Sequence, residues 1–164
     1  MGFHVVFRGV TIGQGPILYH LAGGSSRNRK HDRHHIPMDK LRIRRLNDTF
    51  AVLRLDPSAP IPAWANRPGK LLSITRTCEE LSIIAPQSLV PDQAAAQRDY
   101  LAYALVGPLD FALVGVLARL TAALADARVP VLAISTYDTD ILLIRADQRE
   151  PAEAALAAVA ALQS

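Results

Sequence analysis

The spacing of apolar residues divides the chain, from residue 38 onward, into strand-like and helix-like segments. Alternating apolar and polar residues are typical of half-buried strands, whereas apolar residues three or four positions apart form one face of a helix. The strand-like segments are 41–46, 49–55, 71–75, 81–85, 101–106, 131–135 and 141–144. Because Asn47 and Asp48 are turn-forming residues, we expect the first two strands to form a hairpin.

Helix-like spacing predicts a short helix at 90–99, a longer one at 114–127 and a final helix with Pro151 in its first turn. The apolar stripe of the long helix is Leu113, Val116, Leu117, Leu120 and Leu124, and that of the final helix is Ala152, Ala155, Leu156, Val159 and Leu162. From residue 100 the order is strand, helix, strand, strand, helix, and right-handed connections place both helices on one face of an antiparallel sheet. This order predicts an α+β fold of the ferredoxin-like type.

The chain also contains an internal sequence repeat at an offset of 60 residues. The stretch 133–144 falls on 73–84, with Ile134 on Ile74, Ser135 on Thr75, Asp140 on Glu80 and Ile144 on Ile84, and 101–105 falls on 41–45. A constant offset indicates a duplicated unit. We therefore expect two βαββαβ units side by side, 38–99 and 100–164. Three prolines between 57 and 62 leave the first unit at most a helical turn at 61–65.

The first 37 residues differ from the rest in composition. They hold all five histidines and five basic residues against one acidic residue, a balance of +4, whereas residues 38–164 hold 13 basic and 14 acidic residues. We expect residues 1–37 to be a disordered basic extension or the product of a mis-assigned start. Because the basicity is confined to this segment, the charge does not indicate a nucleic-acid partner. His31, His34 and His35 lack a cysteine or carboxylate frame, so we expect no metal site.

Several ordered motifs indicate a family. They are residues 46–55 (LNDTFAVLRL), 59–64 (APIPAW), 79–86 (EELSIIAP), 107–111 (GPLDF) and 134–140 (ISTYDTD). With these motifs the chain, from Met38 to its end, resembles the small bacterial proteins made of two ACT domains. Those proteins are similar to the ACT pairs of aspartate kinases and to the CASTOR-type arginine sensors of animals.

The resemblance implies a regulatory module that binds a free amino acid where the two units meet. It implies that the ligand is held by the loop before a helix, by a hairpin turn and by a strand of the partner unit. The residues at those positions are Ser82, Ile83, Asp110, Phe111, Leu113, Gly115, Thr136, Tyr137 and Asp140. Leu113 stands where the arginine sensors have a carboxylate facing the ligand, which argues against arginine.

The chemistry of these residues suits an amino acid. Asp110 or Asp140 could pair with the ammonium group, while backbone N–H groups around Gly115, at a helix start, suit the carboxylate. Phe111, Leu113 and Tyr137 could line an apolar wall, and Ser82 and Ile83 would act through backbone groups. Local roles are the alternative: Asp110 as a helix cap, Thr136 and Asp140 as turn residues, and the aromatic rings as core.

The same sequence argues against catalysis. Residues 38–164 contain no histidine, and their three glycines form no phosphate-binding loop. The single cysteine, Cys78, excludes an internal disulfide and fits a reducing, cytoplasmic compartment, and no apolar run is long enough to span a membrane. We expect a non-catalytic, allosteric amino-acid sensor without a cofactor, acting through a homodimer or a regulated protein partner. The alternative is a ligand-free interaction module that pairs with an enzyme or with itself.

Overall fold

The computed structural model describes residues 41–67, 69–107, 109 and 113–163. The predicted extension 1–37 lies outside the described residues. Within them the strands are β1 (Arg42–Leu55), β2 (Ser73–Arg76), β3 (Leu81–Pro86), β4 (Gln97–Leu105), β5 (Leu132–Ser135), β6 (Asp140–Arg145) and β7 (Ala161–Gln163). The α-helices are α1 (Val116–Asp126) and α2 (Arg149–Ala157), and short 3-10 helices occupy Ala63–Asn66, Gln87–Leu89 and Ala146–Gln148.

All of these strands belong to one sheet. Its order is β2-β3-β1-β4-β6-β5, and β7 pairs in parallel with the beginning of β1, while the other pairings are antiparallel. Strands β1 to β4 and strands β4 to β7 each follow the βαββαβ order, with 3-10 helices in place of α-helices in the first set. The predicted α+β fold of two ACT-like units with a degenerate first helix is confirmed. The predicted boundary between residues 99 and 100 falls inside β4, and the division of the chain there stays a prediction.

Strand β1 corrects the predicted hairpin. Instead of two strands joined at Asn47 and Asp48, residues Arg42–Leu55 form one strand of 14 residues. Its register with β4 shifts between Arg45 and Thr49, so the polar pair lies at an irregularity. An extra residue in a strand is accommodated by a bulge when the neighbouring strand continues past it. Here β4 pairs with β1 on both sides of the irregularity, which keeps the chain extended.

The predicted helix at 90–99 is also wrong. The chain there passes from the 3-10 helix Gln87–Leu89 into a turn in which the Ala94 N–H donates to the Pro91 carbonyl, and β4 begins at Gln97. Proline lacks the N–H that a helix interior needs, and it disfavours helical backbone in the residue before it. The Gln87 amide group bonds both the backbone N–H and the carboxylate of Asp99, at 2.7 and 3.1 Å, which fixes the start of β4.

Both α-helices pack on the same face of the sheet, as predicted. Leu117, Leu120 and Leu124 of α1 and Ala152 and Leu156 of α2 join a cluster that includes Leu101, Tyr103, Leu105, Leu142 and Ile144. The final helix ends earlier than its stripe suggested, because Leu162 lies in β7. In the described part of the chain, neither helix is long and apolar enough to cross a membrane.

The first half covers this same face without an α-helix. A cluster of Ala51, Leu53, Ala65, Leu81, Ile83, Ala85 and Val90 is capped by the partly buried Trp64. Trp64 belongs to the 3-10 helix Ala63–Asn66, in the segment where the sequence predicts at most a helical turn. The opposite face carries a third cluster around Phe50, Ala102, Ala104 and Leu143, to which the loop residue Leu71 contributes. We call this the second face.

The two hairpins β2–β3 and β5–β6 repeat each other at an offset of 59 residues. In the turn after β2, the Thr77 N–H donates to the Glu80 carbonyl, and the Thr77 hydroxyl accepts from the Glu80 N–H. Thr136 makes the same two bonds with Thr139. When the two hairpins are matched in this way, Leu53, which pairs with Ile83, corresponds to Tyr103, which pairs with Leu142. Residues 101–105 therefore correspond to 51–55, at an offset of 50, and not to 41–45 as the sequence repeat predicted. The additional residues of the second half lie between β4 and β5, in the segment that contains α1.

Candidate functional site

The two hairpin turns lie at opposite ends of the sheet. Ile43, near the start of β1, pairs with Leu105, and the Thr136–Thr139 turn precedes β6 at that end. Leu55, at the far end of β1, pairs with Leu81, next to the Thr77–Glu80 turn. Ten residues of extended strand span roughly 33 Å, so the two turns form separate sites within one chain.

The Thr136–Thr139 turn is joined to the loop that follows β4. The Leu109 N–H donates to the Asp138 carbonyl at 2.9 Å, and the Thr139 hydroxyl donates to the Leu105 carbonyl at 2.6 Å. A Cβ atom added to Gly107 would lie 2.7 Å from the Asp138 carbonyl oxygen, closer than real side chains approach. Glycine at 107 therefore allows loop and turn to meet backbone to backbone.

A cleft of about 560 Å³ lies beside this junction. It is lined by Arg44, Ala104, Leu105, Val106, Gly107, Asp138, Thr139 and Gln163. Arg44 pairs with Ala104 of β4 and with Gln163 of β7, so its position in the sheet is fixed from both sides. Neither Arg44 nor Asp138 forms an ion pair with another described residue. The cleft thus presents one cationic and one anionic side chain whose charges are not neutralised locally.

The predicted turn residues flank this cleft. The Thr136 hydroxyl donates to the Thr139 carbonyl at 2.9 Å and accepts from the Thr139 N–H at 3.2 Å. Asp140 is 9% exposed, and one of its carboxylate oxygens accepts a 2.5 Å bond from the Ser135 hydroxyl. Tyr137, at the tip of the turn, is 77% exposed. Thr136 and Asp140 therefore have structural roles within the hairpin, and their contact with a ligand stays a prediction.

The predicted residues near the start of α1 are only partly described. Gly115 precedes the helix with a φ of +83°, and a Cβ there would meet nothing within 4 Å. Its left-handed backbone conformation accounts for the glycine without any close neighbour. Leu113 is half-buried in the loop before it. Asp110 and Phe111 lie outside the described residues.

Ser82 and Ile83 lie at the other end of the sheet. Ser82 pairs with Arg54 of β1 and Thr75 of β2, and Ile83 is fully buried beside Leu53. Within one chain these two residues do not approach the Thr136–Thr139 turn. The predicted set of site residues is therefore divided into two groups, and their joint role in binding stays a prediction.

Several residues that line the cleft were not predicted from the sequence. Arg44 carried a signal, because it lies in a short alternation of apolar and basic residues, 42–46, that contains three cations and no acidic residue. Asp138 carried a weaker signal, as the acidic residue within the Thr136–Thr139 turn. Gly107 and Gln163 carried none, since the first depends on a contact with Asp138 and the second on the pairing of β7 with β1.

A different polar cluster lies on the helical face. The Tyr103 hydroxyl and the Arg149 Nε both donate to Glu153 Oε1, at 3.1 and 3.0 Å, and Arg45 Nε lies 3.9 Å from the same oxygen. Burial, and then the negative charge of Glu153, raises the pKa of Tyr103 well above its usual range. Because its donors and acceptor satisfy one another, this cluster links β1, β4 and α2 and needs no ligand. Among the described residues, no group of three or more His, Cys, Asp or Glu side chains could hold a metal ion.

Comparison with known proteins agrees with the fold. The family model of the ACT domain matches residues 95–158, and the model of an N-terminal domain matches 48–93. The solved structure of protein Atu0741 from Agobacterium tumefaciens is 30% identical in sequence, covers 75% of this chain and 92% of its own, and superposes with a TM-score of 0.70. The chain belongs to the family of small ACT-domain proteins. The resemblance inferred from the motifs is thereby confirmed.

More distant structures share the fold of this ACT-domain protein. Protein VC0802 from Vibrio cholerae, described as of unknown function and a possible transport protein, is 15% identical with a TM-score of 0.60, covering 75% of this chain and 92% of its own. Aspartate kinase from Clostridium acetobutylicum is 12% identical with a TM-score of 0.54, covering 71% of this chain and 33% of the enzyme. No curated protein sequence gives a significant match.

Proposed function

We propose that this ACT-domain protein is a non-catalytic regulatory protein that binds a free amino acid in the cleft beside Gly107. The observation that carries the proposal is that Arg44 and Asp138 line the same cleft and that neither forms an ion pair with another described residue. The cleft is open to solvent, and its volume of about 560 Å³ is sufficient for a molecule the size of an amino acid.

The two charges match the two groups that every free amino acid carries. A guanidinium group binds a carboxylate through two parallel hydrogen bonds, so Arg44 would hold the α-carboxylate. The Asp138 carboxylate would accept hydrogen bonds from the α-ammonium group. Because the two side chains come from β1 and from the turn before β6, a zwitterion between them would tie these segments together.

Regulation would follow from that link. A ligand shifts a conformational equilibrium only if it binds one state more tightly than the other. The cleft is built from a loop, a turn and the beginning of β1, and β1 continues into the first half of the sheet. A ligand that favours one arrangement of loop and turn would thus act on a strand that both halves share, and the output would pass to a partner molecule. The exposed single thiol, Cys78, is compatible with the predicted cytoplasmic location.

The test is a thermal-unfolding screen of the full chain with each of the twenty L-amino acids at millimolar concentration. A ligand at a hundredfold excess over its dissociation constant adds about 2.7 kcal/mol to the free energy of unfolding, which raises the melting temperature visibly. We expect one amino acid or one chemical class to stand out.

The variant Arg44→Met should abolish that shift. The matched control is Arg54→Met, the same change on the same strand but at the other end of the sheet, and it should retain the shift. If Arg44→Met responds like the wild type, the site lies elsewhere. If none of the twenty amino acids shifts the wild type, the binding proposal is wrong and the ligand-free interaction module becomes the better hypothesis.

A further inference from the structure

A second cavity adjoins the cleft and is lined by cations. It has a volume of about 420 Å³ and is lined by Arg44, Arg45, Leu46, Asn47 and Lys70. Arg44 lines both cavities, so both border this residue. We infer that the protein selects amino acids with an acidic side chain, whose second carboxylate lies in this adjoining cavity. The inference rests on the proposed function.

The cations come from two rigidly placed segments. Arg44 and Arg45 are consecutive on β1, at the edge of the strand irregularity that begins after Arg45. Lys70 belongs to the loop before β2, and its neighbour Leu71 is buried in the same cluster as Leu46 on the second face. The packing of Leu71 therefore holds the Lys70 backbone next to β1.

The charges of the two cavities do not balance. Three cations line the adjoining cavity, and Asp138 is the one carboxylate among the described residues of the two cavities. Arg45 already has a counter-charge, because its side chain lies on the helical face, 3.9 Å from Glu153 Oε1, whereas the adjacent Arg44 points to the opposite face. Arg44 and Lys70 have no ion partner in the described part of the chain.

A neutral amino acid would satisfy only part of this arrangement. Its ammonium and carboxylate groups would use Asp138 and Arg44, leaving Lys70 without a counter-charge. Lysine or arginine as ligand would bring a fourth cation to the same place. An amino acid with a side-chain carboxylate supplies the missing negative charge. Hydrogen bonds to charged groups are also the stronger ones, so the electrostatic preference should be large.

The experiment is calorimetric titration of the full chain, at constant low ionic strength, with five probes. L-aspartate and L-glutamate are compared with their neutral isosteres L-asparagine and L-glutamine, and with L-lysine. We expect at least one acid to bind about tenfold or more tightly than its own amide, and lysine to bind more weakly than either.

Two variants locate the effect. Lys70→Met should lower the affinity for the acid about tenfold, towards that of the amide, and should leave the affinity for the amide unchanged. Arg67→Met removes a nearby exposed cation that lines neither cavity and should change neither affinity. Unfolding curves without ligand check that both variants are folded.

The outcomes separate the two proposals. If an amide or lysine binds as tightly as the acids, or if Lys70→Met weakens acid and amide equally, the acidic preference is wrong while amino-acid binding stands. If no amino acid binds but inorganic phosphate does, and Arg44→Met abolishes it, the cavities form a general anion site and both proposals fall.

Discussion

The two hairpin turns of the sheet share their backbone hydrogen bonds but differ in the side chains around them. At the first turn, Arg54 donates to the Glu80 carboxylate at 2.9 Å and to the Glu79 carbonyl at 3.1 Å. Arg76 donates to the carbonyl groups of Pro57 and Ala59, in the loop after β1. Two arginines thus fill the space between loop and turn.

The second turn lacks both arginines. At the offsets that the strand registers define, Arg54 corresponds to Ala104 and Arg76 to Ser135, and neither can reach across the junction. There the loop meets the turn by direct backbone contact at Gly107, and a cleft remains beside it. One architecture therefore yields a filled junction at one end and an open one at the other. This difference favours the open junction as the binding site we propose, because Ala104 and Ser135 stand there in place of Arg54 and Arg76.

The largest expected effect comes from removing the acidic group of the open junction. Asp138→Asn should weaken binding of every amino acid that the wild type binds by about 10- to 100-fold, because a hydrogen bond between charged groups is lost. Glu79 occupies the same position in the first turn, so Glu79→Gln is the matched control and should leave the affinity unchanged. Calorimetric titration measures both. Equal losses in the two variants would contradict the distinction between the turns.

The close contact at Gly107 should carry the next largest effect. Gly107→Ala places a methyl group against the Asp138 carbonyl and should lower the free energy of unfolding by about 1–3 kcal/mol, since loop or turn must move. The corresponding residue of the first junction is Pro57, and Pro57→Ala should cost less than about 1 kcal/mol. Urea unfolding gives both values. If Gly107→Ala were as stable as the wild type, the loop and the turn could move apart at no cost, and the close contact would not be important for stability.

On the helical face, the two halves of the sheet should differ in how they contribute to stability as the pH changes. Tyr103 corresponds to the apolar Leu53 of the first half, and its raised pKa means that the folded state holds the phenol proton more tightly than the unfolded state. This contribution is present below about pH 10 and is lost as the pH rises further, by up to about 1.4 kcal/mol per pH unit. Chemical unfolding between pH 8 and 11 should show a shallower alkaline decline in Tyr103→Phe. If the free energy of unfolding of the wild type and of Tyr103→Phe fell equally with pH, Tyr103 would not be the group responsible.

The smallest effect is expected at the filled junction. Arg54 and Glu80 form an ion pair whose side chains are 70% and 39% exposed. Exposed pairs contribute about 0–1 kcal/mol, so Glu80→Gln should lower the free energy of unfolding by no more than that, and less at high salt. Thermal unfolding at two salt concentrations measures it. A loss above 2 kcal/mol would mean that the first junction depends on this pair for its structure.

Local patterns were sufficient for most of the architecture. Strands β2 to β6, helix α1 and the turn at Trp64 follow from apolar spacing and prolines, and the ordered motifs indicated the ACT family. The patterns failed where a distant neighbour decides the local structure. Asn47 and Asp48 have the composition of a turn, but the pairing of β1 with β4 keeps them extended. Leu162 fits a helical stripe, but its backbone pairs with Ile43.

The candidate site was less predictable than the fold. Sequence motifs led to the Thr136–Thr139 turn, which does border the cleft. They could not indicate Arg44, because its proximity to Asp138 depends on the central position of β1 in the sheet. Nor could they show that Ser82 and Ile83 lie at the other end, since that separation follows from the antiparallel course of β3 along β1.

The shared central strands also bear on how the protein can be divided. Strand β4 is the last strand of the first βαββαβ set and the first of the second, and β1 contacts strands of both. A fragment cut between the two ACT units would expose a bare, apolar edge along β1 or β4, and such edges recruit other chains. We therefore expect either unit, expressed alone as a fragment, to be prone to aggregation.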